Sequence, residues 1–470
     1  MRPATAKTYS SAALIVILLA VAVVSAGYWP GIMIDDARWQ YQQSVDNAYE
    51  DWHPPLMAWI WRQLMFIYPG LAPMFVLQLG LLWAGLALIA IWAIRRGRPR
   101  LALSVALTGV VPAALALSGT VTKDCLMAGA LMMATGLALT RDLARSRATG
   151  AITSLASLCF IVFAAALRLN AVVACLPLLV AMLPKELTRT KIRLLAAGTL
   201  GALLLFAVGP AVNSALRAEQ TDVDLSLIIF DVGGITERSG INAFPDLNVR
   251  DPVAVNHRCY DPSEWDSYST WAKMPCPLGF ERFQSAKDDG DFSPAQLWLT
   301  AILHHPLAYA QHRFTHFNLS TAFLVPSGPD FTAWSQSVPN PWGYTVGSNA
   351  IIRSLTALAD ASAETPIGWP IFWISVALAA AVGATLIRAP GVVIALATSS
   401  FLYGLSYLVL GVAVGMRYYF WTITGGAVAA ALLIGELSSV SARRSKLSIV
   451  MPAAIIALPT TLAILARVLC

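Results

Sequence analysis

Asp35 and Asp36 stand side by side just beyond the first apolar stretch of the chain, in Tyr28-Trp29-Pro30-Gly31-Ile32-Met33-Ile34-Asp35-Asp36-Ala37-Arg38-Trp39-Gln40. A charge near a bilayer centre costs about 2.5 to 3.5 kcal/mol on insertion scales, so ionisable groups in an apolar chain tend to be functional or to lie outside the hydrocarbon. His53-Pro54 follows, and three more polar groups sit at the ends of apolar segments: Lys123-Asp124, Arg168-Leu169-Asn170 and Arg417-Tyr418-Tyr419. The chemistry that suits such a set is group transfer from an anionic lipid carrier. A carboxylate can accept the proton of an attacking hydroxyl. Arginine, with its fixed fork, and lysine, as a point charge, can stabilise charge developing on a leaving phosphate. On a helix starting near Asp36, Gln40 and Gln43 share its face at i+4 and i+7. Trp29, Trp39 and Trp52 are candidates to stack on a sugar ring, although tryptophans also serve as ordinary interface anchors.

The elements that must position these residues are membrane helices. The chain of 470 residues is 57% hydrophobic and only 12% charged, with a mean hydropathy of +0.64. This excludes a soluble globular protein. The net charge of +6 and pI near 9.0 follow topology rather than a basic stripe, so nucleic acid is not an expected partner. Apolar stretches long enough to cross a bilayer are read at 10–27, 71–94, 101–119, 124–140, 150–167, 170–184, 194–213, 367–388, 390–411, 416–436 and 447–468. With a cytoplasmic N-terminus, Arg95 to Arg100, Arg141 to Arg147, Lys185 to Arg193, Arg388 and Arg443-Arg444-Ser445-Lys446 all fall on the inner side. The first segment is read as a signal anchor rather than a cleaved signal peptide, because many spans follow. Counting residues 54–70 as a span would reverse that charge pattern. They are therefore read as a Trp-rich helix lying in the interface and ended by Pro69-Gly70.

The expected fold is thus an all-α polytopic membrane protein with about 11 transmembrane helices. Residues 1–213 form an N-terminal transmembrane catalytic module of about seven spans, with a first outer loop over 28–70. Residues 214–365 form an extracytoplasmic soluble domain, and 366–470 a C-terminal transmembrane module of about four spans. The polar groups singled out above then all fall on the outer face. Cys259 and Cys276 lie in the long polar segment, where a disulfide would close a loop of about 18 residues and contribute roughly 3 kcal/mol. His312 and His316 have the i,i+4 spacing of a metal site, but Arg313-Phe314-Thr315 stands where a zincin carries its glutamate, so core or solvated histidines are the expectation. The chain contains no internal repeat, Walker-type loop or GxGxxG.

In Trp29-Pro30-Gly31, Asp35-Asp36-Ala37, His53-Pro54, Lys123-Asp124 and Arg168-Leu169-Asn170 the sequence resembles the GT-C membrane glycosyltransferases, which include the bacterial aminoarabinose transferase of lipid A and the protein mannosyltransferases. The likeness covers about residues 27–180 and, more weakly, Arg417-Tyr418-Tyr419; Ala37 departs from the usual serine. The resemblance implies a GT-C-like fold and a sugar donor linked to a polyprenyl phosphate. It also implies inverting transfer to an extracytoplasmic glycan, lipid or protein acceptor at a bacterial inner membrane. On this reading Asp36 is the general base and Asp35 orients the acceptor. Lys123, Arg168 and Arg417 bind the donor phosphate, while His53, Trp39, Gln40, Asn170 and Tyr418 contact substrate. No cofactor is firmly implied; some relatives require a divalent cation such as Mg or Mn, for which Asp35 and Asp36 are the candidate ligands. A lipid-linked saccharide transporter would instead bury charge within broken spans. A glycan ligase or polymerase would place its key residues in the large late loop, where Arg250, Arg258 and Arg282 are available.

Overall fold

A computed structural model describes residues 3–329, 332–439 and 446–469, so Arg443-Arg444-Ser445 lies outside the described residues. The described chain is all-α, with only isolated β-bridges between its segments. Among the described residues eight helices are long and apolar enough to cross a membrane, and Ala171–Met182 and Pro370–Leu386 are shorter apolar helices. The remaining expected span, 101–119, is broken. Helix α5 (Pro99–Thr108) stops short of α6 (Pro112–Leu117), and Val111 between them has ψ near 125°. The ring of a proline disfavours helical geometry in the residue before it, which accounts for the break.

The N-terminal half is built so that two distant segments meet. Helix α1 (Pro3–Tyr28) leads through a cis Trp29–Pro30 bond into Gly31, whose φ is +115°. A Cβ at Gly31 would lie 2.7 Å from Val121 Cγ2, so this position needs glycine for both its conformation and its space. The chain then pairs with the turn before α7 (Lys123–Thr140): Ile32 N–H donates to Gly119 O at 3.0 Å, and Val121 N–H donates to Ile32 O at 2.9 Å. This pairing sets the start of α2 (Asp35–Asp46) beside the start of α7. Helix α3 (Leu56–Met65) lies separately against α2, through Tyr41 and Trp61 rings 5.2 Å apart and an Arg62 hydrogen bond to Ser44 O. It ends before Pro69, and Phe66, Ile67 and Tyr68 are exposed.

Helix α4 (Ala72–Arg95) packs along α7 at close range, since a Cβ on Gly85 would sit 2.5 Å from the Met132 backbone. Small residues that let helices approach are the usual glue between membrane helices. At the far end of this pair Arg96 meets Asp142 at 3.2 Å, and Arg98 pairs with Glu436. Arg96 and Arg98 therefore lie at one end of this helix pair, and Asp36 and Lys123 lie at the other.

Within the polar segment, Leu225, Phe230, Tyr268, Phe283 and Ala308 belong to a second core, and Cys259 is bonded to Cys276. The rest of the segment lies on the membrane helices. Asn349 donates to Gly27 O at the end of α1, and Val338 N–H donates to Met33 O.

Candidate functional site

Asp36 occupies the first turn of α2, and the two aspartates diverge because successive helical residues point about 100° apart. Asp35 is 67% exposed and bonds Arg38 at 3.1 Å, one turn along its own helix. Asp36 turns inward, 20% exposed, toward residues from three other segments. Arg417 grips it with both terminal nitrogens, at 3.0 Å to Oδ2 and 3.3 Å to Oδ1. Lys123 Nζ and His53 Nε2 each lie 3.9 Å from Oδ2. Lys123 also donates to His53 Nδ1 at 2.5 Å, which leaves the imidazole neutral with its proton on Nε2, facing the carboxylate.

Each partner has an identifiable support. Lys123 opens α7 behind Thr122, whose hydroxyl caps the helix by accepting from Cys125 N–H. The turn before it is fixed by buried Gln78 of α4, which donates to Ser118 O and Thr120 O and accepts from Thr122 N–H. Arg168, in the turn between α8 (Arg147–Ala165) and α9 (Ala171–Met182), pairs with Asp124 and donates through Nε to Asn170 Oδ1 at 3.3 Å. Both arginines stack on the same ring, with Arg168 5.4 Å and Arg417 5.0 Å from the Tyr418 centroid. The Arg417 guanidinium also lies 5.6 Å from the centroid of the Trp334 ring.

Burial pushes the Asp36 carboxyl upward, but the surrounding charges, Arg417 foremost, outweigh it and hold the group well below the usual carboxylate range. Burial and the neighbouring Lys123 ammonium depress His53 to about 3, in keeping with a neutral ring. Around Asp36 three cations, Lys123, Arg168 and Arg417, face two carboxylates, Asp36 and Asp124. The cluster therefore carries one positive charge in excess, which a single anionic group would balance.

The structure thus brings together Asp36, His53, Lys123, Arg168, Asn170, Arg417 and Tyr418. It does not bring in Asp35, and Trp39 is exposed. Gln40 is buried, with its Oε1 lacking a hydrogen-bond partner. Asp35 and Asp36 do not converge on one point, and Asp36 is ringed by positive charge. Mg and Mn need several oxygen ligands in near-octahedral array, and this pair does not supply them. Among the described residues no cluster of three or more His, Cys, Asp or Glu side chains is suited to a metal.

Three contributors escape a reading by residue type and spacing. Asp124 is flagged only as the second half of Lys-Asp, yet it is the buried counter-ion of Arg168. Trp334 lies in a non-helical stretch without periodicity. Gln78 is one glutamine in an apolar helix, and a buried amide there signals a demand for hydrogen bonds.

No family profile matches the chain, and no curated protein is significantly similar to it. Solved structures do match. ArnT from Cupriavidus metallidurans bound to undecaprenyl phosphate is 15% identical, with a TM-score of 0.33 over 91% of this chain and 77% of that one. The archaeal oligosaccharyltransferase AglB from Archaeoglobus fulgidus, in complex with an inhibitory peptide and a dolichol-phosphate, is 14% identical. Its TM-score is 0.38 over 97% of this chain and 55% of that one, so the chain spans about half the archaeal protein's length. At this level of superposition neither likeness bears on the activity of the chain.

Proposed function

We propose that the protein is a membrane glycosyltransferase that moves a sugar from a polyprenyl-phosphate donor to an acceptor hydroxyl or amine on the extracytoplasmic side, with inversion. The observation that carries this reading is the Asp36 cluster, in which one carboxylate is held by cations from separate segments at one end of a membrane helical bundle. A glycosyl phosphodiester carries one negative charge at neutral pH, which matches the positive excess of the site. Donor binding would place the phosphate against Arg417, Lys123 and Arg168 and draw Arg417 away from Asp36. Asp36 as it stands is too weak a base to be useful, since a catalytic base works best with a pKa near the operating pH. Loss of the Arg417 contact raises its proton affinity at the moment the donor arrives.

The acceptor oxygen or nitrogen then attacks the anomeric carbon, its proton passes to Asp36, and the anomeric carbon–oxygen bond breaks. The bonding pair stays with the polyprenyl phosphate, whose added charge the three cations stabilise. The test is consumption of a radiolabelled polyprenyl-phosphate sugar by purified protein in nanodiscs with a panel of acceptors. Turnover in the native protein, falling at least about 100-fold in Asp36→Asn, supports the reading. Full turnover in the variant, or none with any donor in the native protein, overturns it.

A further inference from the structure

The polar segment sends one short loop to the edge of the Asp36 cluster, and the glycosyl-transfer step as written makes no use of it. Residues 259–276 are closed on themselves by the Cys259–Cys276 disulfide. Within this loop Ser263, Glu264 and Trp265 run antiparallel to the segment just before Arg417. Trp265 N–H donates to Val412 O at 2.8 Å, Val414 N–H donates to Ser263 O at 3.0 Å, and Glu264 bridges Ala413. The chain reaches Arg417 three residues after Val414 and Asp266 one residue after Trp265.

A second anchor fixes the loop. Trp52, the residue before His53, packs against Trp265 at 5.6 Å and Trp271 at 5.5 Å, and Phe280 lies 5.6 Å from Trp52. Trp265 and Phe280 are buried, but Trp271 is 55% exposed. Trp271 is thus braced perpendicular to Trp52 and Trp265, the latter at 5.4 Å, while more than half of it stays exposed. Burial pushes the Asp266 carboxyl up, with the Asp36 charge reinforcing this and the neighbouring Trp271 and Arg417 opposing it, so Asp266 lies within electrostatic reach of the cluster.

We infer that Trp271 and Asp266 form the acceptor subsite, which binds a neutral carbohydrate: the indole surface takes the apolar face of a sugar ring and the carboxylate accepts from its hydroxyls. The pairing of an exposed, braced indole with a carboxylate selects a ligand that is apolar on one face and hydroxylated at its rim. A peptide acceptor would need unpaired backbone groups or a strand edge to receive it, and the bridge partners of this loop are already taken by residues 412–414. A subsite here presents its sugar beside the strap that leads to Arg417, and so toward Asp36.

This inference uses the transferase reading for its role but not for its binding, and the two are tested separately. The full chain in nanodiscs is probed by saturation-transfer NMR with a panel of methyl hexopyranosides and methyl pentopyranosides, with no donor present. Signal from at least one sugar, weakened about threefold to tenfold in Trp271→Ala, restored in Trp271→Phe and reduced in Asp266→Asn, is the expected result. If no sugar gives a signal, or if Trp271→Ala binds as well as the native protein, the subsite is overturned. Sugar binding that depends on Trp271, in a protein that consumes no polyprenyl-phosphate sugar, would keep the subsite and remove the transferase.

Discussion

At the scale of single residues, the adjacent aspartates separate into different roles because a helix turns between them. Asp36→Asn removes the carboxylate at the centre of the cluster, whereas Asp35→Asn removes an exposed i,i+3 pair with Arg38 worth about 0.3 kcal/mol. Transfer by Asp35→Asn is therefore expected to stay within about twofold of the native rate. A loss as large as that of Asp36→Asn, measured side by side at equal protein, would return Asp35 to the site. The buried Arg168–Asp124 pair allows a second test. With side-chain exposures of 11% and 2%, removing one partner leaves an uncompensated charge, and Arg168→Gln or Asp124→Asn alone should destabilise by about 3 kcal/mol. The double variant should lose clearly less than the sum of the two, in denaturant unfolding of the detergent-solubilised protein. Additive losses would mean the pair is not coupled. Lys123, Arg168 and Arg417 were legible from the sequence because charge at the end of an apolar span is conspicuous. Their pairing was not, since an ion pair across 44 residues leaves no spacing signal.

At the scale of elements, the site depends on the turn that precedes α7. Residues 118–122 are held on one side by the Ile32 backbone and from inside α4 by a single side chain, Gln78, which satisfies two carbonyls and one amide. Gln78→Leu is close in size but strands all three groups in a buried setting, at a cost of about 1 to 3 kcal/mol. The variant should melt lower and, because Lys123 follows the turn directly, should bind polyprenyl phosphate more weakly. Native melting with native lipid-phosphate affinity would show that the turn holds itself. Most helices could be read in advance from runs of apolar residues, whose length is set by the bilayer. The split of 101–119 could not, because the hydropathy of the stretch hides a backbone break imposed by Pro112. The Ile32–Thr120 pairing was equally hidden, since two residues in an irregular ladder carry no periodic pattern.

At the scale of the whole molecule, the polar segment and the membrane helices are tied through a buried ionic knot. Arg313 bonds Asp231 at 2.6 Å and donates to Gly411 O at 2.6 Å, so it grips the strap that runs to Arg417. His312 Nε2 sits 3.3 Å from Asp231 Oδ1 and receives the Tyr260 hydroxyl at Nδ1, and His316 Nδ1 lies 2.9 Å from Pro262 O. The i,i+4 histidines are therefore core residues, and their spacing reflects one buried helix face rather than a metal. Burial is the main influence on each and lowers both, His316 to about 3, while His53 in the site is also depressed to about 3. The sign of the linkage follows from proton counts. In the unfolded chain these rings bind protons near the ordinary value of 6.5, whereas in the folded protein His53 and His316 resist protonation until about pH 3 and burial lowers His312 in the same direction. The unfolded state then binds more protons throughout that window, so stability is full above about pH 6.5 and is lost progressively as pH falls. The melting temperature of the purified protein should drop between pH 7.5 and pH 5, and His316→Gln should flatten part of that slope while lowering the plateau. A melting temperature unchanged across the interval would mean that these rings gain compensating partners when protonated, and would break the link between the knot and the strap that carries Arg417.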